Sequence, residues 1–256
     1  MEVTKEVAAI QATPQKRIPR KEQVICEVPL LIVVNGKEVA TLQCTPSSLE
    51  YLAVGFLLSE GVLTRREDVK RTVLADKGSH IRIDVVANVE METLVRRRLI
   101  GSAGVSFYQR TSEEAVPRAN SQFQISISKV LELMKQFQTK SSLYGRTRGN
   151  HSCALSNADG AIIVFAEDIG RHNAVDKVIG ECVLRGVSLE DKILATTGRI
   201  SAEIVNKIGK WKIPIIVSFG APTSLALDLA TNLGLTVIGF AREHQAVIYT
   251  NGDRVI

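Results

Sequence analysis

The chain has 256 residues, of which 45% are hydrophobic and 5% aromatic, and it carries a formal net charge of +5. That length and apolar content allow a sizeable buried core and exclude a disordered chain. The excess of Lys and Arg favours anionic partners. The scarcity of aromatic residues, with no helix-turn-helix, zinc-finger or RNA-sheet pattern, argues against nucleic acid.

Residues 1–20 are polar and basic, contain Pro14 and Pro19 and lack the apolar core of a secretory signal, so they read as a flexible N-terminal arm. No apolar run reaches the roughly 20 residues that span a bilayer, and no membrane partner is expected. Cys26, Cys44, Cys153 and Cys182 are widely separated and form no CxxC or metal-ligand pair. A cytoplasmic location and no structural metal are the corresponding expectations.

Residues 21–125 read as a smaller α+β region. Val24 to Val34 and Lys37 to Gln43 flank Asn35-Gly36, a strong hairpin signal. Ser47 and Glu50 suggest a capping box opening a helix that presents Leu49, Leu52, Ala53, Phe56 and Leu57 and stops at Gly61. Strands are expected at Arg71 to Leu74 and His80 to Val86, then a charged helix from about Val89 to Leu99 and an exposed loop over 101–125.

Residues 126–256 read as an α/β domain. A helix over Ser128 to Gln138 and the segment Tyr144 to His151 lead into a hairpin, Ser152 to Ser156 and Ala161 to Ala166, turned by Asn157 to Gly160. Three strand–turn–helix units follow. Their turns hold Asp168 to His172, Thr197-Gly198-Arg199 and Phe219 to Pro222, and a last strand, Leu235 to Phe240, runs into Ala241 to His244. Such units predict a parallel, doubly wound sheet with helices on both faces and the strand C-termini along one edge.

Ligands of these sheets bind along that edge. Arg171, Arg199 and Arg242 each fall just past a strand, beside glycine-containing turns, a pattern suited to a diphosphate or dinucleotide. The candidate contacts are Gly170, Arg171, His172, Asn173, Gly198, Arg199, Ala221, Pro222, Thr223, Phe240, Ala241, Arg242, Glu243, His244 and Gln245. Asp176 is placed to hold His172 at i,i+4.

From about residue 18 onward the chain resembles the FdhD/NarQ family of formate dehydrogenase accessory proteins. The resemblance rests on Thr45-Pro46 through Gly61, His151 with Ala154, Glu167 to Lys177, Thr197-Gly198-Arg199, Ala221 to Ala226, and Gly239-Phe240 with Arg242. It implies a cytidine-deaminase-like layered fold, a homodimer, and sulfur transfer from a cysteine desulfurase to the bis-molybdopterin guanine dinucleotide cofactor of formate dehydrogenase or a related molybdenum or tungsten enzyme. The family's sulfur-carrying Cys-Gly-x-Cys-Gly is replaced here by Ala103-Gly104-Val105-Ser106-Phe107. Neither alanine nor serine forms a persulfide. No catalytic residue is therefore retained, Cys153 near His151 is the weak substitute, and a non-catalytic carrier of the cofactor is the alternative reading. The His-x-Glu and Pro-Cys-x-x-Cys pair of zinc deaminases is missing as well.

Overall fold

In a computed structural model describing residues 1–76, 81–89, 119 and 121–256, these residues form three sheets and six helices. β1 (Thr4–Ala12) and β2 (Arg17–Ile25) make an antiparallel ribbon with Ala12 opposite Arg17. The segment read as a loose arm is thus largely strand. Thr13 to Lys16 close the ribbon, the Lys16 amide donating to Thr13 Oγ1 at 3.1 Å. The ribbon is largely exposed and touches the rest of the protein mainly near the end of β2, where Ile25 lies against Gly149, so polar residues dominate it and no period-two signal reveals it. Pro19, opposite Ile10, is tolerated because each strand of the ribbon is an edge.

The second sheet has the order β4-β3-β6-β5, from β3 (Val28–Val34), β4 (Lys37–Cys44), β5 (Val69–Asp76) and β6 (Ile81–Ala87). Its β3–β4 turn is Asn35-Gly36 with φ of 49° and 81°, the left-handed pair that hairpin twist selects. Helix α1 (Leu49–Ser59) follows, but the capping box does not form. Ser48 is the N-cap, in left-handed backbone and without a side-chain cap, while the Glu50 carboxylate accepts from the Thr72 hydroxyl. The expected charged helix and exposed loop, with Ala103 and Ser106, lie almost entirely outside the described residues.

The third sheet has six strands in the order β12-β11-β10-β9-β7-β8. It is built from β7 (His151–Ser156), β8 (Ile162–Asp168), β9 (Ile193–Thr196), β10 (Ile215–Ser218), β11 (Thr236–Arg242) and β12 (Gln245–Thr250). β9, β10 and β11 are parallel neighbours, whereas β7 and β12 run against theirs, so the sheet is mixed. Helix α2 (Ile127–Lys140) covers one face through Val130, Leu133, Met134 and Phe137. Helices α4 (Arg171–Arg185), α5 (Ala202–Lys210) and α6 (Ser224–Leu233) all cover the other. The fold is α/β with helices on both faces, but its crossovers are not doubly wound. Successive strands advance in one direction along the sheet, and right-handed crossovers then land on one face.

Short helix α3 (Ser142–Thr147) occupies part of the Tyr144 to His151 segment. The small sheet and α1 share a hydrophobic core with α4, joining Ile32, Leu52 and Leu57 to Val178, Ile179 and Leu194. The α1–α4 crossing depends on two glycines. A Cβ on Gly55 would stand 1.8 Å from the Asp176 carbonyl oxygen, and one on Gly180 would stand 2.0 Å from that of Tyr51. No larger residue fits there without moving a helix.

Candidate functional site at the sheet edge

β8, β9, β10 and β11 all point their C-termini at one edge of the large sheet, and the antiparallel β7 and β12 bring their N-termini to it. The edge therefore gathers Asp168, Thr196 and Ser218 with His151 and Gln245. Its turns are fastened to one another. The Thr197 amide donates to Ser152 O at 3.1 Å, Ile200 to Ala221 O at 3.0 Å, Thr223 to Ile200 O at 3.0 Å, and Phe240 to Gly220 O at 3.2 Å. Close approach explains Gly220, because a Cβ there would meet Gly198 O at 2.9 Å and the Arg199 amide nitrogen at 3.1 Å. The Arg171 side chain lies directly over Gly198, within 2.9 Å of where a Cβ would be.

The turn before α4 is set by a buried ion pair. Lys177 Nζ lies 2.7 Å from Asp168 Oδ2, and both side chains are wholly buried. Asp168 Oδ1 accepts from the Gly170 amide and from Asn173 Nδ2, each at 2.9 Å, and Oδ2 accepts from the Thr45 amide at 3.1 Å. Lys177 also donates to Glu167 O at 3.0 Å and Thr45 O at 3.3 Å. A buried charge is tolerable only when paired and hydrogen-bonded in this way. The pair ties the 43–47 loop to the turn that carries Arg171, and Ser47, the expected capping residue, lies 3.4 Å from Lys177 Nζ.

Asp176 does not hold His172. Its carboxylate accepts from Lys207 Nζ at 2.6 Å and Ser59 Oγ at 2.5 Å, linking α4 to α5 and α1. A helical i,i+4 spacing leaves a side chain free to choose a stronger, buried partner from another element. His172 Nδ1 instead lies 3.0 Å from Glu203 Oε1. This ion-pair contact is not a hydrogen bond, and both ring nitrogens, like Arg171 Nε, are buried without a hydrogen-bond partner.

A cavity of about 550 Å³ opens on the α2 side of the edge. Arg148, Asn150, His151, Thr197 and Arg242 give it polar walls, and Phe137, Tyr144, Ile169 and Phe219 give it apolar ones. Arg242 lies 4.9 Å over the Phe219 ring, which itself stacks on Phe137. Asn150 is held by Glu167, whose Oε1 accepts from its Nδ2 at 2.8 Å and also from the Ser141 hydroxyl. His151 Nδ1 is 3.1 Å from Thr197 Oγ1. Burial, then the electrostatic influence of Arg171 and His172, push the His151 pKa below its ordinary value, and Asp168, its cross-strand partner, only partly opposes them.

Of the fifteen expected contacts, Arg242 alone lines this cavity. Gly170, Arg171, His172, Asn173, Gly198, Ala221 and Pro222 stand along the same edge toward α4 and α5, with Arg199 and Thr223 exposed beyond them. Phe240, Glu243, His244 and Gln245 are exposed at the β11–β12 turn, Glu243 reaching Lys135 of α2 at 3.4 Å, while Ala241 is buried in the α2 core. The edge thus brings the arginine turns together without placing all three guanidinium groups in one cleft. Sequence reasoning missed Tyr144, Arg148, Asn150, His151 and Phe219 as site residues. The Gly- and Arg-rich run Tyr144 to His151 was the available signal.

Cys44, Cys153 and Cys182 are unsuited to sulfur relay. Cys153 and Cys182 are fully buried, and burial pushes Cys182 up to about 12 and Cys153 well above an ordinary thiol. Cys44, also buried and beside Asp168, is raised to about 12. A thiolate is the reacting form, and these surroundings suppress it. Cys26 is half-buried. Among the described residues, no cluster of three or more His, Cys, Asp or Glu is positioned to hold a metal, and no helix is long and apolar enough to cross a membrane.

Comparison with known proteins accounts for almost the whole chain. It is 37% identical over 242 residues to the sulfur carrier protein FdhD of Bacillus subtilis (strain 168), covering 92% of this chain and 91% of that one. It is also 37% identical over 240 residues to the sulfur carrier protein FdhD of Staphylococcus aureus (strain MRSA252), covering 92% and 90%. A crystal structure described as that of a formate dehydrogenase accessory protein from Desulfotalea psychrophila superimposes with a TM-score of 0.85 at 27% identity, covering both chains completely. The FdhD/NarQ family model matches residues 25–256, and the chain belongs to that family.

Proposed function

We propose that this protein is an accessory factor of formate dehydrogenase that binds the bis-molybdopterin guanine dinucleotide cofactor as cargo and supports its sulfuration or delivery. The observation that carries the reading is the edge itself. There a cavity walled by Phe137, Tyr144 and Phe219 and by Arg148 and Arg242 adjoins the Gly170-Arg171 turn and Gly198-Arg199. A dinucleotide presents flat rings to the first and diphosphate oxygens to the second. Arg171 Nε and His172 Nε2, buried without a hydrogen-bond partner in the chain, are consistent with a polar ligand supplying what the chain does not. A homodimer, a cytoplasmic location and a cysteine desulfurase as sulfur source belong to the same proposal.

Guanosine diphosphate is the accessible probe. Titration calorimetry in low salt should detect binding, and Arg171→Ala should weaken it by about 1.5–3 kcal/mol, the worth of a hydrogen bond to a charged group. Undetectable binding by the wild-type protein would sink the reading.

The Ala103 and Ser106 replacements, with Cys153, Cys44 and Cys182 buried, favour a carrier that holds the cofactor without itself bearing the sulfur. Incubation with a cysteine desulfurase and labelled cysteine separates the two versions. Protein-bound persulfide supports the relay, and its absence alongside retained nucleotide binding supports the carrier.

A further inference from the structure

The ribbon of β1 and β2 has two unlike outer edges. Among the described strands each pairs only with the other, so each leaves one row of backbone groups unpaired. Bonds at the two ends of the ribbon fix which groups these are. The Cys26 amide donates to Val3 O at 2.9 Å and the Thr13 amide to Lys16 O at 2.8 Å, and the register between them is unbroken. Bonded and non-bonded pairs alternate in an antiparallel ladder, so Lys5, Val7, Ala9 and Gln11 bond inward to β2. Glu6, Ala8, Ile10 and Ala12 therefore turn their amides and carbonyls outward, and on β2 the outward set is Arg17, Pro19, Lys21 and Gln23.

The β2 edge is blunted. Pro19 has no amide to offer and stands between Arg17 and Lys21, and proline and cations are the devices by which natural edges resist a further strand. The β1 edge lacks this protection. Val7-Ala8-Ala9-Ile10-Gln11-Ala12 carries neither charge nor proline, and Ala8, Ile10 and Ala12 are exposed, Ile10 by 55%. A flat, uncharged edge is a template for strand addition. A two-stranded ribbon is also marginal in water by itself, and a third strand supplies the stability it lacks.

The foot of the ribbon points to the occupant. Ile25, the last residue of β2, lies against Gly149, which lines the cavity between Arg148 and Asn150. The ribbon is thus rooted at the rim of the cavity, where a protein receiving the cargo must approach. Lys16 and Arg17 at its tip and Arg146 and Arg148 at its foot are exposed cations, and residues 1–25 hold no aromatic side chain on which a nucleic acid base could stack. The family match begins at residue 25, so the ribbon lies outside the stretch by which the family is recognised, as suits an element that selects a particular client. We propose that the β1 edge is a docking strand for the client enzyme, formate dehydrogenase, which adds an extended uncharged segment to residues 7–12 from within an acidic surface. The proposal rests on the accessory role above and adds the surface that meets the client.

The test uses the full chain and formate dehydrogenase purified without its cofactor, with binding read by biolayer interferometry. Ala8→Pro deletes an outward amide and leaves the inward bonds of the ribbon in place, as Pro19 does on β2. Affinity for the enzyme should fall at least about tenfold, whereas Ala8→Ser, which keeps the amide, should bind as wild type does. Association should slow with added salt. Affinity for guanosine diphosphate should be the same in all three proteins, which separates the docking strand from the cargo site. In hydrogen exchange on the wild-type chain, the amides of Ala8, Ile10 and Ala12 should slow when the enzyme is added, a readout that does not depend on how the proline variant folds.

Unslowed exchange at these amides overturns the proposal, as does wild-type enzyme affinity in Ala8→Pro or a wild-type chain that does not bind the enzyme. Equal losses in Ala8→Pro and Ala8→Ser mean recognition of a side chain and also overturn it. Self-association that Ala8→Pro abolishes at unchanged enzyme affinity assigns the edge to a second copy and overturns it too. Association indifferent to salt overturns the acidic surface.

Discussion

At the scale of single residues, local charge decides which side chains can act. His151 lines the cavity beside Thr197, with Asp168 on the strand opposite, and its pKa is depressed first by burial and then by the electrostatic influence of Arg171 and His172. The sign of the resulting pH dependence follows directly. As pH falls below the free imidazole value of 6.5, the unfolded chain takes up this proton before the folded one does, so stability declines. His151→Asn should therefore show a smaller loss of melting temperature between pH 7 and pH 5 than wild type. Identical pH profiles would remove His151 from the account. The buried thiols illustrate the same rule, since Cys153 on its strand and Cys182 on α4 are packing residues whatever sequence motif lies nearby.

Among elements, the α1–α4 crossing is the most exacting contact, because two backbones meet without intervening side chains. Gly180→Ala should gain the usual helix-propensity advantage of alanine, about 1 kcal/mol, and lose more through overpacking against Tyr51 O. A net destabilisation of up to about 2 kcal/mol is expected, read by denaturant unfolding at unchanged m-value. The glycines at this crossing were legible as residues but not as a contact. In sequence, Gly55 sits in mid-helix and Gly180 in another helix, and neither pattern says that the two faces meet.

For the whole molecule, the buried Asp168–Lys177 pair connects the 43–47 loop of the N-terminal region to the edge of the large sheet. Lys177→Met should destabilise by about 3–5 kcal/mol, because it strands a buried carboxylate. Adding Asp168→Asn should recover most of that loss, since the uncompensated charge is gone. The double variant should nevertheless bind guanosine diphosphate more weakly than wild type, because the amides of Thr45 and Gly170 lose their shared anchor. Recovery of stability and affinity together would show that the pair has no part in holding the turn.

What the sequence determined by itself was carried by local pattern, although the capping box at Ser47 and Glu50 shows that such a pattern can be overridden. The Asn35-Gly36 hairpin, the strand–turn–helix units from Asp168 onward and the arginine after each strand were legible because turn chemistry and periodicity act over a few residues. Tertiary structure alone decided the rest. The antiparallel course of β7 brought His151 and the Tyr144–Asn150 segment to the edge, and the single direction of strand advance put α4, α5 and α6 on one face and left α2 to wall the cavity. It also gave Asp176 to Lys207 rather than to His172. These outcomes depend on which distant elements share a core, and burial rewards that choice through the whole chain's packing rather than through any short stretch of it.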